Sequence, residues 1–199
     1  MKAHVDMALE AKFLSVLEHP NIIELFDVYP HTGNMHLVFE CCTTDLETVI
    51  MDESVQLTDG HIKSYMTMLL QGIDYLHTNN VLHRDLKPQN VLRSADGSLR
   101  IADFDTAALG DFVKGRVGSR GFMAPEVLTW QNGDDAYSGR AADVFAFAMC
   151  SAQLLHPAPN YGEICLAPGV PGAWTRSEFD HAVVSANLRP RIDPSTPDG

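Results

Sequence analysis

Positive charge is scarce in this chain. Its 199 residues hold 14 lysines and arginines against 26 aspartates and glutamates, a formal net charge of −12. That balance argues against a nucleic-acid-binding surface and favours basic partners only weakly. Cysteine is sparse too: Cys41, Cys42, Cys150 and Cys165 show neither metal-ligand spacing nor the framework of a disulfide-stapled secreted domain. No run of residues is long and apolar enough to span a membrane, and the N-terminus lacks the charged-then-apolar pattern of a signal peptide. The expectation is an intracellular chain, in cytoplasm or nucleus, with no membrane partner. The nine histidines fall in no metal-ligand pattern, and internal repeats and low-complexity tracts are absent. What is present is 45% hydrophobic residues, enough for one sizeable core and one domain.

Periodicity places the elements. Leu9, Phe13, Val16 and Leu17 recur at helical spacing and predict a helix from Glu10 to Glu18, ended by His19-Pro20. Ile23 to Val28 and Met35 to Glu40 read as strands around a turn at Pro30-His31-Thr32-Gly33-Asn34. Ile62, Tyr65, Met66, Leu69, Leu70, Ile73 and Leu76 form a long core-facing helical stripe. Val91-Leu92-Arg93 and Leu99 to Ala102 flank Ser94-Ala95-Asp96-Gly97-Ser98, a turn of hairpin composition. Ala141 to Leu155 is apolar on nearly all faces and predicts a helix through the domain centre. Asp143 near its start is costly to bury without hydrogen-bond partners, and is also favoured there by the helix dipole. Pro157, Pro159, Pro168 and Pro171 predict irregular chain before a short helix from Ser177 to Ala186.

The most specific stretch is His83-Arg84-Asp85-Leu86-Lys87-Pro88-Gln89-Asn90. It is an unbroken copy of the protein-kinase catalytic loop, H-R-D-L-x-x-x-N. In-line phosphoryl transfer needs a carboxylate for the hydroxyl proton and an amide oxygen for a metal ion, both brought to one phosphate by a tight loop. Asp103-Phe104-Asp105 follows where kinases carry Asp-Phe-Gly, and Val117 to Glu126 resembles the substrate-receiving loop that ends in Ala-Pro-Glu. On this ordered set the chain resembles a eukaryotic-type Ser/Thr protein kinase domain.

The resemblance implies an α+β, bilobal fold, mostly the helical C-lobe (43–199), with an N-lobe remnant and hinge (1–42) made of the C-helix and two strands. It implies ATP and Mg2+ as cofactors and a protein Ser/Thr hydroxyl as substrate. Asp85 would be the catalytic base, Asn90 and Asp103 the magnesium ligands, and Lys87 the cation that steadies the γ-phosphate and marks the Ser/Thr class. Phe39 matches the gatekeeper, and the backbone of Glu40, Cys41 and Cys42 the adenine-binding hinge; the bland alternative is a buried strand with small cysteine fillers. Asp143 matches the aspartate that anchors the catalytic loop. Asp45 to Ile50 and His61 to Met66 look like the cyclin-dependent-kinase group. Gly118 to Met123 and Ala142 to Phe147 look more like tyrosine-kinase-like Ser/Thr kinases. A regulatory protein partner is a further expectation; nucleic acid is not.

Several departures matter. Neither the glycine-rich loop over the ATP phosphates nor the strand lysine is found in the sequence, and Lys12 lies two residues along the helix from Glu10, facing away. Glu10, which matches the glutamate that pairs with that lysine, is therefore either a functional carboxylate or a solvated helix charge. Two strands make a poor small lobe, since a stable sheet usually needs about three or more, and their edge would be open to pairing. Asp105 in place of glycine adds a carboxylate near the metal and is expected to restrict the backbone. Between Thr106 and Ser119 there is no hydroxyl residue, so Arg84, which usually grips an activating phosphate, lacks one; Asp111 is expected to substitute as a permanent anion. Glu126 is expected to lack its usual arginine. The alternative to catalysis is a pseudokinase-like module that binds a partner without phosphoryl transfer, and a third reading is an incomplete product that folds poorly alone.

Overall fold

The computed structural model describes residues 2–32, 34–155 and 175–190. Helix α1 (Lys2–Leu14) stops earlier than the periodicity predicts. Ser15 Oγ donates to the Lys12 carbonyl at 3.0 Å, the kind of local bond that competes with helix continuation. Phe13, Leu14 and Leu17 are buried all the same, while Val16 is left exposed.

Residues 21–23 then tie the front of the chain to its centre. Ile101 N donates to Asn21 O and Ile23 N to Ile101 O, both at 2.9 Å. Strands β1 (Leu25–His31) and β2 (Asn34–Phe39) pair antiparallel as a hairpin, with an irregularity between Leu25 and Asp27. Apart from Leu25, all of β1 is exposed. Gly33 of the expected turn lies outside the described residues.

A three-stranded antiparallel sheet follows, in the order β3 (Thr44–Asp45), β5 (Val91–Arg93), β6 (Leu99–Ile101). The β5–β6 hairpin is the one the turn composition predicts, and Gly97 takes a positive φ of 88° in that turn. Helix α2 (Leu46–Met51) is capped by Asp45, whose Oδ1 accepts from Thr48 N at 2.8 Å. Helix α3 (Asp59–Thr78) starts at a Thr58–His61 capping box and buries Tyr65, Leu69, Gly72, Ile73, Leu76 and His77. Gly72 allows its close approach to β6: a Cβ there would lie 2.8 Å from Ile101 Cδ1 and 3.1 Å from Asn21 O.

Beyond α3, strand β4 (Val81–Leu82) pairs with β7 (Ala108–Leu109), and β8 (Phe112–Val113) with β9 (Tyr137–Ser138). The short α4 (Pro125–Thr129) precedes α5 (Gly139–Leu155), which runs through the core as expected with Ala146, Met149, Cys150 and Leu154 buried. One main core joins α1, α2, α3, the β5–β6 hairpin and α5. A second, small cluster packs Phe179 and Val183 of α6 (Arg176–Val184) on Leu128 of α4. Pro157, Pro159, Cys165, Pro168, Pro171 and Arg191 lie outside the described residues.

Candidate active site

The site is built on the loop between β4 and β5, and α5 fixes that loop from beneath. Asp143 is 2% exposed. Its Oδ1 accepts from Arg84 N at 2.8 Å, and its Oδ2 accepts from His83 N at 3.0 Å and lies 2.9 Å from His77 Nε2. Three partners compensate the burial of the charge, which is the condition for keeping a carboxylate there. They also hold Arg84 at φ 71°, a left-handed conformation that a residue with a Cβ adopts only under constraint. The His83 ring lies under the same loop. Its Nε2 donates to Ala102 O at 2.9 Å, its Nδ1 accepts from Asp85 N at 3.3 Å, and it meets Phe104 edge-on at 5.0 Å.

These anchors bring the expected loop residues together. Asp85 Oδ2 accepts from Lys87 Nζ at 3.0 Å, and Asn90 Nδ2 donates to the Asp85 carbonyl at 2.9 Å. Asn90 sits in a 3-10 turn (Pro88–Asn90), with its own carbonyl taking Ala102 N at 2.8 Å. Ser119 joins them, although the sequence reading did not single it out: its N–H donates to Asp85 Oδ1 at 2.7 Å and its Oγ accepts from Lys87 Nζ at 2.9 Å. The available signal was its place as the first hydroxyl after Thr106, directly following a glycine. That glycine, Gly118, has φ 113°, and a Cβ on it would lie 2.6 Å from the Arg84 carbonyl oxygen. Only glycine lets the two segments cross so closely.

Asp103 is exposed with φ 66°, Phe104 is fully buried, and Asp105 is exposed. Asp105 is absent from the positive-φ residues, so in this conformation its backbone does not require glycine. Glu10 reaches this turn: its Oε1 accepts from Phe104 N at 3.3 Å. Burial pushes the Glu10 carboxyl above its ordinary range, the Phe104 bond opposes that, and repulsion from Asp103 and Asp105 adds to it. Among the described residues Glu10 has no ion pair.

At the other edge of the site, the Glu40 side chain is structural. Its Oε1 accepts from Arg100 Nε at 2.9 Å and from Glu24 N at 3.1 Å, clamping the β1–β2 hairpin to β6. Glu40 N is spent on Glu24 O, whereas the Glu40 carbonyl and the Cys42 N–H have no hydrogen-bond partner among the described residues. Cys41 is exposed, and Cys42 Sγ lies 3.6 Å from Ser94 Oγ.

The expectation for Asp111 is overturned. Its Oδ1 pairs with Arg140 Nε at 2.5 Å and its carbonyl takes Gly139 N, so it locks β8 to the start of α5 and does not meet Arg84. Arg84 Nη2 instead donates to the Lys114 carbonyl at 3.3 Å. Arg116 and Arg120 both pair with Asp180 of α6, and Tyr137 Oη donates to the Gly115 carbonyl at 2.7 Å. Glu126 has no ion pair among the described residues.

A magnesium ion fits this donor set. Asn90 uses its side-chain amide N–H on Asp85, so that bond does not engage its Oδ1, and Asp103 is an exposed carboxylate. No cluster of three or more His, Cys, Asp or Glu able to hold a metal occurs among the described residues. Magnesium, a hard cation that keeps several waters, needs only one or two protein oxygens when phosphates supply others.

Comparisons with known proteins agree with this geometry. The profile of the protein kinase domain family matches residues 1–164. Cyclin-dependent kinase D-1 of Arabidopsis thaliana is 45% identical over 150 residues, 73% of this chain and 37% of that protein. Cyclin-dependent kinase 7 of Xenopus laevis is 44% identical over 154 residues, 75% of this chain and 43% of that protein. The Saccharomyces cerevisiae serine/threonine-protein kinase KIN28 is 40% identical over 150 residues, 73% of this chain and 48% of that protein. Among solved structures, a chain of the yeast RNA Pol II CTD kinase CTDK-1 complex superposes with a TM-score of 0.73 at 25% identity, covering 85% of this chain and 54% of that one. The chain thus spans less than half the length of these curated relatives.

Proposed function

The chain belongs to the protein kinase family and has its α+β fold, and from that premise we propose that it transfers the γ-phosphate of ATP to a Ser or Thr hydroxyl of a protein. The observation that carries the reading is the cluster of Asp85, Lys87 and Ser119, closed by hydrogen bonds of 2.7–3.0 Å. Asp85 presents Oδ2 to the incoming hydroxyl and takes its proton; the Ser119 N–H holds the other oxygen and fixes the carboxylate plane. Lys87 Nζ, shared between Asp85 and Ser119, is a cation held at the position where negative charge develops. Asn90 and Asp103 would hold magnesium, which when bound neutralises charge on the transferring phosphoryl group. The Glu40 carbonyl and the Cys42 N–H are the groups free to bind an adenine edge, with Cys41 between them. On the same reading, 1–42 form the N-lobe portion and hinge and 43–199 the C-lobe, in an intracellular protein.

A regulatory protein partner belongs to this proposal, supported by a structural neighbour that is itself part of a complex. The second reading, a binding module without transfer, is favoured by Glu10, which bonds to backbone and to no cation among the described residues. The test is a transfer assay with ATP, magnesium and a panel of Ser/Thr peptides. Removing the base in Asp85→Asn should lower the rate by about a hundredfold to ten-thousandfold. Nucleotide binding with no transfer in either protein would decide for the binding module.

A further inference from the structure

The stretch that carries Ser119 is gripped from one side by a single carboxylate. Asp180 of α6 gives one oxygen to each of two arginines: Oδ2 accepts from Arg116 Nη2 at 2.5 Å, and Oδ1 accepts from Arg120 Nη1. The residues between those arginines are Val117, Gly118 and Ser119. Among the described residues, no other ion pair involves residues 112–124.

Packing holds Asp180 in place. Helix α6 starts at a Thr175–Glu178 capping box, and its Phe179 is fully buried with Val183 against Leu128 of α4. Asp180 follows Phe179 directly, so burial of that ring fixes the backbone from which the carboxylate reaches out. The Ser119 stretch leads into α4, α6 rests on α4, and Asp180 returns to the stretch, which closes a ring of contacts.

The other side of the same stretch meets the reacting groups. Ser119 N–H donates to Asp85 Oδ1 at 2.7 Å, and Ser119 Oγ accepts from Lys87 Nζ at 2.9 Å. Val117 to Ser119 are thus seated between the catalytic loop and the Asp180 carboxylate. Two guanidiniums on one carboxylate leave a positive charge in excess, so with the carboxylate gone they repel each other and the ends of the stretch spread.

We infer that Asp180 is a positioning residue for the transfer reaction: through Arg116 and Arg120 it keeps Ser119 against Asp85 and Lys87, so that α6 helps to orient the catalytic carboxylate. The inference rests on the transferase reading for its effect on rate alone; the seating of Ser119 stands on the geometry.

The experiment pairs residue-resolved amide exchange with transfer kinetics on the full chain. Wild type is compared with Asp180→Asn, Asp180→Glu and a control at an exposed position of the same helix, Arg176→Gln. In Asp180→Asn the Ser119 amide should exchange about tenfold faster, while the His83 and Arg84 amides, held by Asp143, stay protected. The kcat should fall about tenfold to a hundredfold with the KM for ATP unchanged, because the misplacement is at the base and not at the nucleotide. Asp180→Glu restores a two-oxygen acceptor and should recover part of both losses, and Arg176→Gln should match wild type. Adding Arg120→Gln to Asp180→Asn should cost less than the sum of the two single effects, since both break one bridge. Wild-type kcat or wild-type Ser119 exchange in Asp180→Asn would overturn the inference. So would an equal loss in Arg176→Gln, no recovery in Asp180→Glu, or lost protection across all of α6, which would mean that the helix had come away. If wild type transfers to no peptide, the transferase reading fails on its own, and Ser119 exchange alone then decides whether Asp180 holds the stretch.

Discussion

Replacing Asp143 with asparagine tests the idea that α5 sets the catalytic loop. The carboxylate is 2% exposed and serves three partners, at 2.8, 3.0 and 2.9 Å, with both oxygens in use. Asparagine keeps one acceptor oxygen and turns an NH2 group toward the other donors, so at least one buried N–H loses its bond. A buried unsatisfied group costs about 1–3 kcal/mol, and the remaining bonds lose the extra strength of an ionised acceptor. Neutralising a buried charge recovers part of its desolvation, which holds the net loss to about 2–4 kcal/mol. Against a typical domain stability of about 5–15 kcal/mol that is a large fraction. At about 2–4 °C per kcal/mol for a chain of this size, the midpoint should fall by roughly 5–15 °C. Urea unfolding gives the energy, and amide exchange at His83 and Arg84 gives the location, since both N–H groups should lose protection more than α3 does. An unchanged unfolding midpoint with unchanged exchange at those two amides would refute the anchoring argument.

Other perturbations read other parts of the site. Glu10 has a carboxyl raised above the ordinary 4.5, so the folded state disfavours its charged form. Its stability penalty is present at neutral pH and fades as pH falls through the raised folded value toward 4.5; Glu10→Gln should therefore be the more stable protein at pH 7, with the gap closing on acidification, as followed by denaturant titration. Gly118→Ala should cost about 1–3 kcal/mol or more, because the new Cβ meets a backbone oxygen at φ 113°, and it should abolish transfer by displacing Ser119; a wild-type melting curve would contradict the crossing geometry. Iodoacetamide should label the exposed Cys41 in the native chain and spare Cys150, whose thiol is fully buried and shifted well upward, with ATP slowing the Cys41 reaction. Mass spectrometry of the labelled peptides reads this directly, and labelling of Cys41 indifferent to ATP would count against the hinge assignment.

Much of the fold was legible because period and turn chemistry agreed with each other. The stripe from Ile62 to Leu76 and the hairpin around Asp96-Gly97 were written in local sequence, and both formed. Helix α1 was placed too late because hydrophobic spacing at Phe13 and Leu17 ignores the Ser15 hydroxyl, which ends the helix by bonding back to Lys12. At the site, the motif gave Asp85, Lys87 and Asn90, which are close in sequence and remain close in space. Ser119 was missed because its partners are 34 and 32 positions away, a distance that no local pattern encodes. Asp111 was misjudged for the related reason that its competitor, Arg140, lies 29 residues further on. Which cation a carboxylate meets is a property of packing, here of β8 meeting the start of α5.

The source of order at the site has a consequence for which mutations matter. The anchors of the catalytic loop are Asp143 on α5, His77 on α3, Ala102 after β6, and Ser119 in the segment before α4. None of these belongs to the β1–β2 hairpin. Among the described residues, the front of the chain bonds toward the site at Glu10–Phe104, at residues 21–23 on Ile101 and through the Glu40 clamp on Arg100. Phe26, Val28 and Tyr29 on β1 are exposed and contribute nothing to the main core. Charge or size changes at those positions should therefore leave the Asp85–Lys87–Ser119 geometry intact. The same class of change at Asp143, or at Gly118, acts on the loop that carries Asp85 and on the crossing that places Ser119. On the proposed reading, a partner of the hairpin would act on the nucleotide at Glu40–Cys42 without having to build the Asp85–Lys87–Ser119 cluster, because α5, α3 and the segment before α4 hold that cluster through Asp143, His77 and Ser119.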